Sequence, residues 1–380
     1  MAALIAASSR GWSAAISYPF TADTWKITPT TAWVGREAGA ISFARYEGMP
    51  AGTVTINDAI AESTDAGFSD GSIDFDIKPL AYSDTGIIFR RHGNDAGEIV
   101  YIRANPDCPA ANDCIQYAPI THGLMQWDIY SNHEGPAPIA PTGWNHLHIV
   151  VAGNKMEVYV NREAAPSLVV PKLQGVTTEG GIAFKGPAIY ANLVITPEEP
   201  FALRDVKPTL VDPGTIINWQ VAPPSALTVG QPVTAANIPA ADVWSPITAE
   251  ANGLVNLSRA QGAALAPSVA VGWLKTTINA STTMHRTMRL GWCRQVSVFL
   301  NGARVFSGSN PYYPTERRLS PNGRLEPDNA SIGLDLREGA NEIVLAVGNA
   351  WSTHSGVEKP GPYGWGSEAH LDDLNGLTLQ

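Results

Sequence analysis

From Gly71 to Ser131 the chain alternates apolar and polar residues with a period of two, run after run. In Ile73-Asp74-Phe75-Asp76-Ile77 every second residue is apolar, which lets a strand bury one face and keep both aspartates in water. The runs that follow, GIIFRRH, GEIVYIRA and CIQYAPI, keep the alternation and load the second face with Arg, Tyr and Gln. The stretch predicts the body of an antiparallel sheet with one face suited to holding a small molecule. Downstream, NHLHIVVAGNKMEVYVN predicts a hairpin, with Leu147, Ile149 and Val151 on one face beside Val158 and Val160 and the turn at Gly153-Asn154. The clearest local signal is Asn301-Gly302 between VSVFL and ARVF, because Asn-Gly accepts the positive φ angles of a two-residue hairpin turn. IINWQVAPP, GWLKTTINA and NEIVLAVGNAW also read as strands, as do short runs in the first 70 residues such as GTVTINDAIAEST. No segment sustains a helical period, and SRAQGAALA amounts at most to one short helix.

Composition agrees with many short strands: 35 Gly and 29 Pro in 380 residues supply the reversals. That length exceeds one ordinary core and implies two domains. The expectation is an all-β protein of two antiparallel β-sandwiches (jelly rolls) in tandem, over 1–198 and 215–380. A linker at 199–214 joins them, where prolines crowd and periodicity fades. The halves share no repeat, so the two sandwiches are expected to differ.

The 25 basic and 35 acidic side chains leave a net charge of −10 without a run of like charges. This argues against a nucleic-acid partner, which needs clustered Lys and Arg, and no stretch approaches the length of a membrane span. The opening MAALIAASSRGWSAA has a brief apolar segment without a basic n-region, and reads as a mature end after processing. Cys108 and Cys114 lie close enough in a Pro-, Asn- and Asp-rich loop for a disulfide, which points to an oxidising compartment and a secreted protein. Cys293 stands apart, and no soft ligands fall at zinc-site spacing. Sequons occur at Asn256, Asn279 and Asn329, acceptors in a eukaryotic secretory pathway.

Chemistry is less legible. Glycoside hydrolysis needs two carboxylates flanking one bond. Asp74 and Asp76 share a face on a strand that reads as structural. Glu98, just before Tyr101 and Arg103, is the better lone acid, with a solvated strand-edge role as the competing reading. Alternation groups Arg91 with Ile87 and Phe89, and Arg90 with Ile88 and His92. One arginine is then solvated and the other is free to grip a carboxylate or hydroxyls. Glu98, Arg91 and Arg103 are therefore the candidate catalytic residues. Tyr101, Gln116, Tyr117, Trp127, Tyr130 and His92 are the candidate ligand contacts. An aromatic platform with an amide and a guanidinium suits a sugar ring, and equally a flat polyketide or terpenoid. Trp351 and Trp365, with Tyr363, lie in a Gly/Pro-rich region and either add contacts or pack between domains. His146 and His148 stand two apart on one strand face without a visible third ligand, so no metal site is assigned. Neither a serine-nucleophile elbow nor a phosphate or dinucleotide loop is present, and no cofactor is called for.

Through FSDGSIDFDI, DTGIIFRR, GWNHLHIVVAGNKMEVYVN and GGIAF, the first ~195 residues resemble the concanavalin A-like lectin/glucanase superfamily, in its laminin-G-like or 3-keto-disaccharide hydrolase-like branch. Through VSVFLNGARVFSG, LREGANEIVLAV and GWGSEAHLDD, the second half is similar to the galactose-binding-like jelly rolls appended to many glycosidases. The resemblances imply a glycan or other small-molecule ligand, on the sheet face of the first domain or in a cleft between domains. The function expected is carbohydrate recognition or processing, the latter by a hydrolase or lyase. The rival is a motif-less enzyme acting by shape and hydrogen bonding, such as a natural-product cyclase or hetero-Diels–Alderase; an adhesion module is a third reading. Oligomeric state is left open.

Overall fold

In the computed structural model, residues 14–28, 39–46, 49–198, 203–204, 212–228, 231–262, 269–312, 322–351, 359–360 and 363–379 are described. They are almost entirely antiparallel strand, and they divide into two compact units, each a β-sandwich.

The first unit holds residues 1–117 and 133–206. One of its sheets runs, neighbour by neighbour, through Leu168–Val170, Lys155–Val160, Asn145–Ala152, Gly71–Pro79, Ala188–Pro197, Met49–Asn57 and Ala40–Tyr46. The other runs from Trp25–Ile27 through Ile60–Phe68, Gly180–Lys185, Asp84–His92 and Ala96–Arg103 to Ile115–Thr121. Alternation does what it predicts: Ile73, Phe75 and Ile77 point into the core, with Ile149 opposite Ile73 and Leu147 opposite Phe75, and Val151, Val158 and Val160 join them. Phe184 stacks on Tyr190 at 4.3 Å between ring centroids, at the centre of that core. The hairpin at Gly153-Asn154 forms, with Ala152 paired to Lys155 and Gly153 at φ +61°. Cys108 and Cys114 are disulfide-bonded, and Cys293 is free and buried.

The second unit holds 207–380 and also Ala118–Asn132. This departs from the expectation that 1–198 forms one domain. The chain leaves the first sandwich after Tyr117 and returns at His133, and Leu124, Ile129 and Tyr130 bury their side chains in clusters of the second unit. Its larger sheet runs through Ser245–Thr248, Asn218–Leu227, Val269–Ala280, Gly339–Gly348, Arg294–Leu300 and Ala303–Asn310, and the smaller through Val255–Asn256, Gly366–Leu371, Met284–Trp292 and Ala330–Leu336. Asn301 and Gly302 turn the predicted hairpin at φ +51° and +81°. The short helix is Leu257–Gln261; the Asn256 side chain caps it by accepting the Arg259 N–H at 2.9 Å.

Candidate functional site

The expected arginine pair comes out differently. A bulge between Phe89 and His92, with Arg90 at φ +49°, breaks the strict alternation. Both guanidinium groups are buried. Arg90 donates to the Ser69 carbonyl at 2.9 Å and to Asp70 Oδ1 and the Gly153 carbonyl, each at 2.8 Å. Arg91 pairs with Glu62 and donates to Asn94 Oδ1 at 2.6 Å. Neither arginine is solvated, because each is the buried counter-charge of a carboxylate. His92 Nε2 stands 2.9 Å from the Glu179 carbonyl.

Glu98 is not a solvated edge acid. It is 1% exposed, and its carboxylate accepts the Tyr117 hydroxyl at 2.7 Å and the Gly175 N–H at 3.1 Å. A Cβ on Gly175 would lie 2.3 Å from Glu98 Oε1, so glycine there makes the closure possible. Tyr117 belongs to the core, while Gln116, its neighbour on the strand, faces the other way. On that second face Gln116 Oε1 accepts the Tyr101 hydroxyl at 2.6 Å and Arg103 Nη2 at 2.7 Å, and Arg103 Nη1 donates to the Asp113 carbonyl at 2.9 Å. The structure thus brings Tyr101, Arg103 and Gln116 together, hydrogen-bonded to one another.

Trp127 and Tyr130 belong to the second unit, so they do not extend the platform within the first sandwich. Tyr312 and Tyr363 meet Trp127 edge-on at 5.4 and 5.9 Å, with the Arg324 guanidinium over its ring at 5.4 Å. Tyr130 donates to Glu250 Oε1 at 2.6 Å and accepts from Asn256 Nδ2 at 3.0 Å. Trp365 is buried, its Nε1 donating to the Gly262 carbonyl at 3.1 Å. Trp351 ends a two-residue strand, and its side chain lies outside the described residues.

Two arrangements were not assembled from the sequence. The first is a ladder of charges on the outer face of the first unit, where register sets His146 opposite Asp76 and His148 opposite Asp74. His148 Nδ1 is 2.9 Å from Asp74 Oδ1, and Asn192 Nδ2 donates to Asp76 Oδ2 at 2.6 Å. Among the described residues no group of three or more His, Cys, Asp or Glu is arranged to hold a metal.

The second is a trough on the outer face of the second unit's larger sheet. Outward residues stand in rows across its strands: Ser309, Gln295, Gly348 and Val271 in one, Ser307, Ser297 and Ala346 in the next. Small residues at Gly348 and Ala346 leave the middle low. Beside them Leu227, Val233, Ile238 and Trp244 pack onto Val271, Trp273 and Phe299 and form a wall. The space enclosed is about 430 Å³, in the size range of small-molecule sites. Hydroxyls of Ser297, Ser307, Ser309 and Thr228, the amides of Gln295 and Gln231, and the Arg304 guanidinium line it. The signal was present in GARVFSGSN as serines at every second position, but a lone polar face on an edge hairpin reads as ordinary solvation.

No known family profile matches the sequence, and no curated protein matches it either. Among solved structures, it is similar to a carbohydrate-binding module from Bacillus subtilis, at 16% identity over 47% of this chain and 100% of that one, with a TM-score of 0.33. Domain 4 of an extracellular arabinanase from Geobacillus stearothermophilus matches at 14% identity over 46% of this chain and 82% of that one, TM-score 0.31. A Bacillus licheniformis β-glucanase matches at 9% over 50% of this chain and 100% of that one, TM-score 0.32. At such identities and scores these likenesses transfer no activity to this chain.

Proposed function

We propose that this protein is a carbohydrate-recognition protein that seats a glycan in the trough of its second sandwich. The observation that carries the reading is the lining: hydroxyls and amides, each both donor and acceptor, arrayed over a floor of Gly348, Ala346 and Val271. A sugar presents the complementary surface, alternating hydroxyls that need partners with C–H faces that need apolar cover. Ser297 is only 6% exposed, yet among the described residues its hydroxyl has no protein partner, which leaves it available at the trough floor. The Cys108–Cys114 disulfide supports an oxidising compartment and hence a secreted protein.

Titration calorimetry of the full chain against a panel of oligosaccharides tests the reading. Ser307 is exposed on the trough wall, so Ser307→Leu should weaken binding about tenfold or more, by loss of one hydroxyl and by obstruction, with an unchanged melting temperature. Absence of binding to any oligosaccharide, or full binding by the variant, would overturn it.

A further inference from the structure

We propose that the glycan taken by the trough is acidic, its carboxylate or sulfate gripped by Arg304; this rests on the carbohydrate reading. Arg304 is the one charged side chain among the described residues that line the trough, where hydroxyls, amides and aliphatic groups make up the rest. Its Nη1 donates to the Val233 carbonyl at 3.2 Å, which aligns the guanidinium along the wall. No carboxylate lies within ion-pair distance of it among the described residues, whereas Arg90, Arg91, Arg259, Arg286, Arg289 and Arg294 each have one. The chain carries ten more negative than positive charges. A guanidinium that lines a trough without a carboxylate partner among the described residues gives an anion a local counter-charge in a chain whose net charge is negative.

The remaining donors of Arg304 form a planar fork that matches the two oxygens of a carboxylate or two of a sulfate. Farther along the same strand, Ser307 and Ser309 line the trough and offer hydroxyls to the ring hydroxyls of the same residue. An unbranched uronic-acid chain offers both groups on every such sugar, whereas a neutral chain would leave the guanidinium without its anion.

The experiment compares the full chain with Arg304→Gln and Arg304→Glu, titrated with oligogalacturonate, a sulfated oligosaccharide and neutral oligosaccharides of the same length. Arg304 is exposed on a strand, so both variants should fold. Expected are tighter binding of an acidic chain than of the neutral ones, weakening as salt rises, a loss of about tenfold or more in Arg304→Gln, and a larger loss in Arg304→Glu. Equal affinity for acidic and neutral chains, unmoved by either variant, overturns this inference and leaves the carbohydrate reading standing. A chain that binds no glycan of either kind overturns both. Binding of the uronate but not the sulfate, or the reverse, assigns the anion.

Discussion

His146 stands directly across the sheet from Asp76, with its Nδ1 2.9 Å from Asp76 Oδ1 and its Nε2 3.4 Å from Asp74 Oδ1. A protonated imidazole can donate at both nitrogens, so it bridges the two carboxylates. Hydrogen bonds to Asp74 and Asp76 raise His146 to about 9 against the opposing pull of burial. Burial raises Asp74, but its bonds with His146 and His148 outweigh that and hold it at about 2.

These shifts set the pH dependence of the first sandwich. The His146 contribution is complete below its ordinary value of 6.5 and is lost as pH rises through about 9. The Asp74 contribution is present above 3.8 and is lost as pH falls toward about 2. Thermal melts should therefore fall on the alkaline side, and His146→Gln should flatten that limb while leaving the second sandwich's transition in place. An unchanged alkaline limb in the variant would refute the bridge.

In the second sandwich Arg294 and Asp128 form an ion pair whose side chains are 2% and 0% exposed. Burial pushes the Asp128 carboxyl up to about 6, held back by the charge and hydrogen bond of Arg294. Asp128→Asn keeps the shape and leaves the guanidinium without its counter-charge. It should cost about 3–5 kcal/mol in urea unfolding, because an uncompensated buried charge is far more expensive than a lost contact. A cost under about 1 kcal/mol would mean the pair is solvated in practice.

Gly302 isolates a backbone effect. A Cβ there would meet nothing within 4 Å, while φ is +81°. Gly302→Val should thus cost about 1–2 kcal/mol through conformation alone, measured by equilibrium denaturation, and Gly302→Asn should cost less. Equal losses for both would point to a lost contact instead.

The three sequons are not equivalent. Asn256 is 6% exposed and donates to Gln126 Oε1 at 2.8 Å while capping its helix. Asn329 Oδ1 accepts the Trp292 and Glu326 N–H groups at 3.1 and 3.2 Å. Asn279 is half-buried on the outer face of its strand, between the core residues Ile278 and Ala280. Secretion from a eukaryotic host should yield a folded protein with glycan at Asn279 only, read by peptide mass spectrometry. Occupancy at Asn256 or Asn329 in folded material would contradict the fold at those positions.

What the sequence determined by itself was local. Period-two alternation identified the strands and their buried faces. Asn301-Gly302 and Gly153-Asn154 marked their turns, and the spacing of Cys108 and Cys114 allowed the disulfide, because each depends on residues within a few positions of one another. The tertiary structure decided the rest. Glu98 is enclosed by the Gly175 N–H, 77 positions along the chain, and the role of Arg90 and Arg91 turned on one bulge. Ala118–Asn132 joined the second unit because its apolar residues fit that core. The trough exists only because register aligns Ser297, Ser307 and Ala346 from three strands. A site is a coincidence in space of residues far apart in sequence: the Asn301-Gly302 turn sets Ser297 against Ser307 locally, but the pairing with Ala346 joins strands that no turn connects.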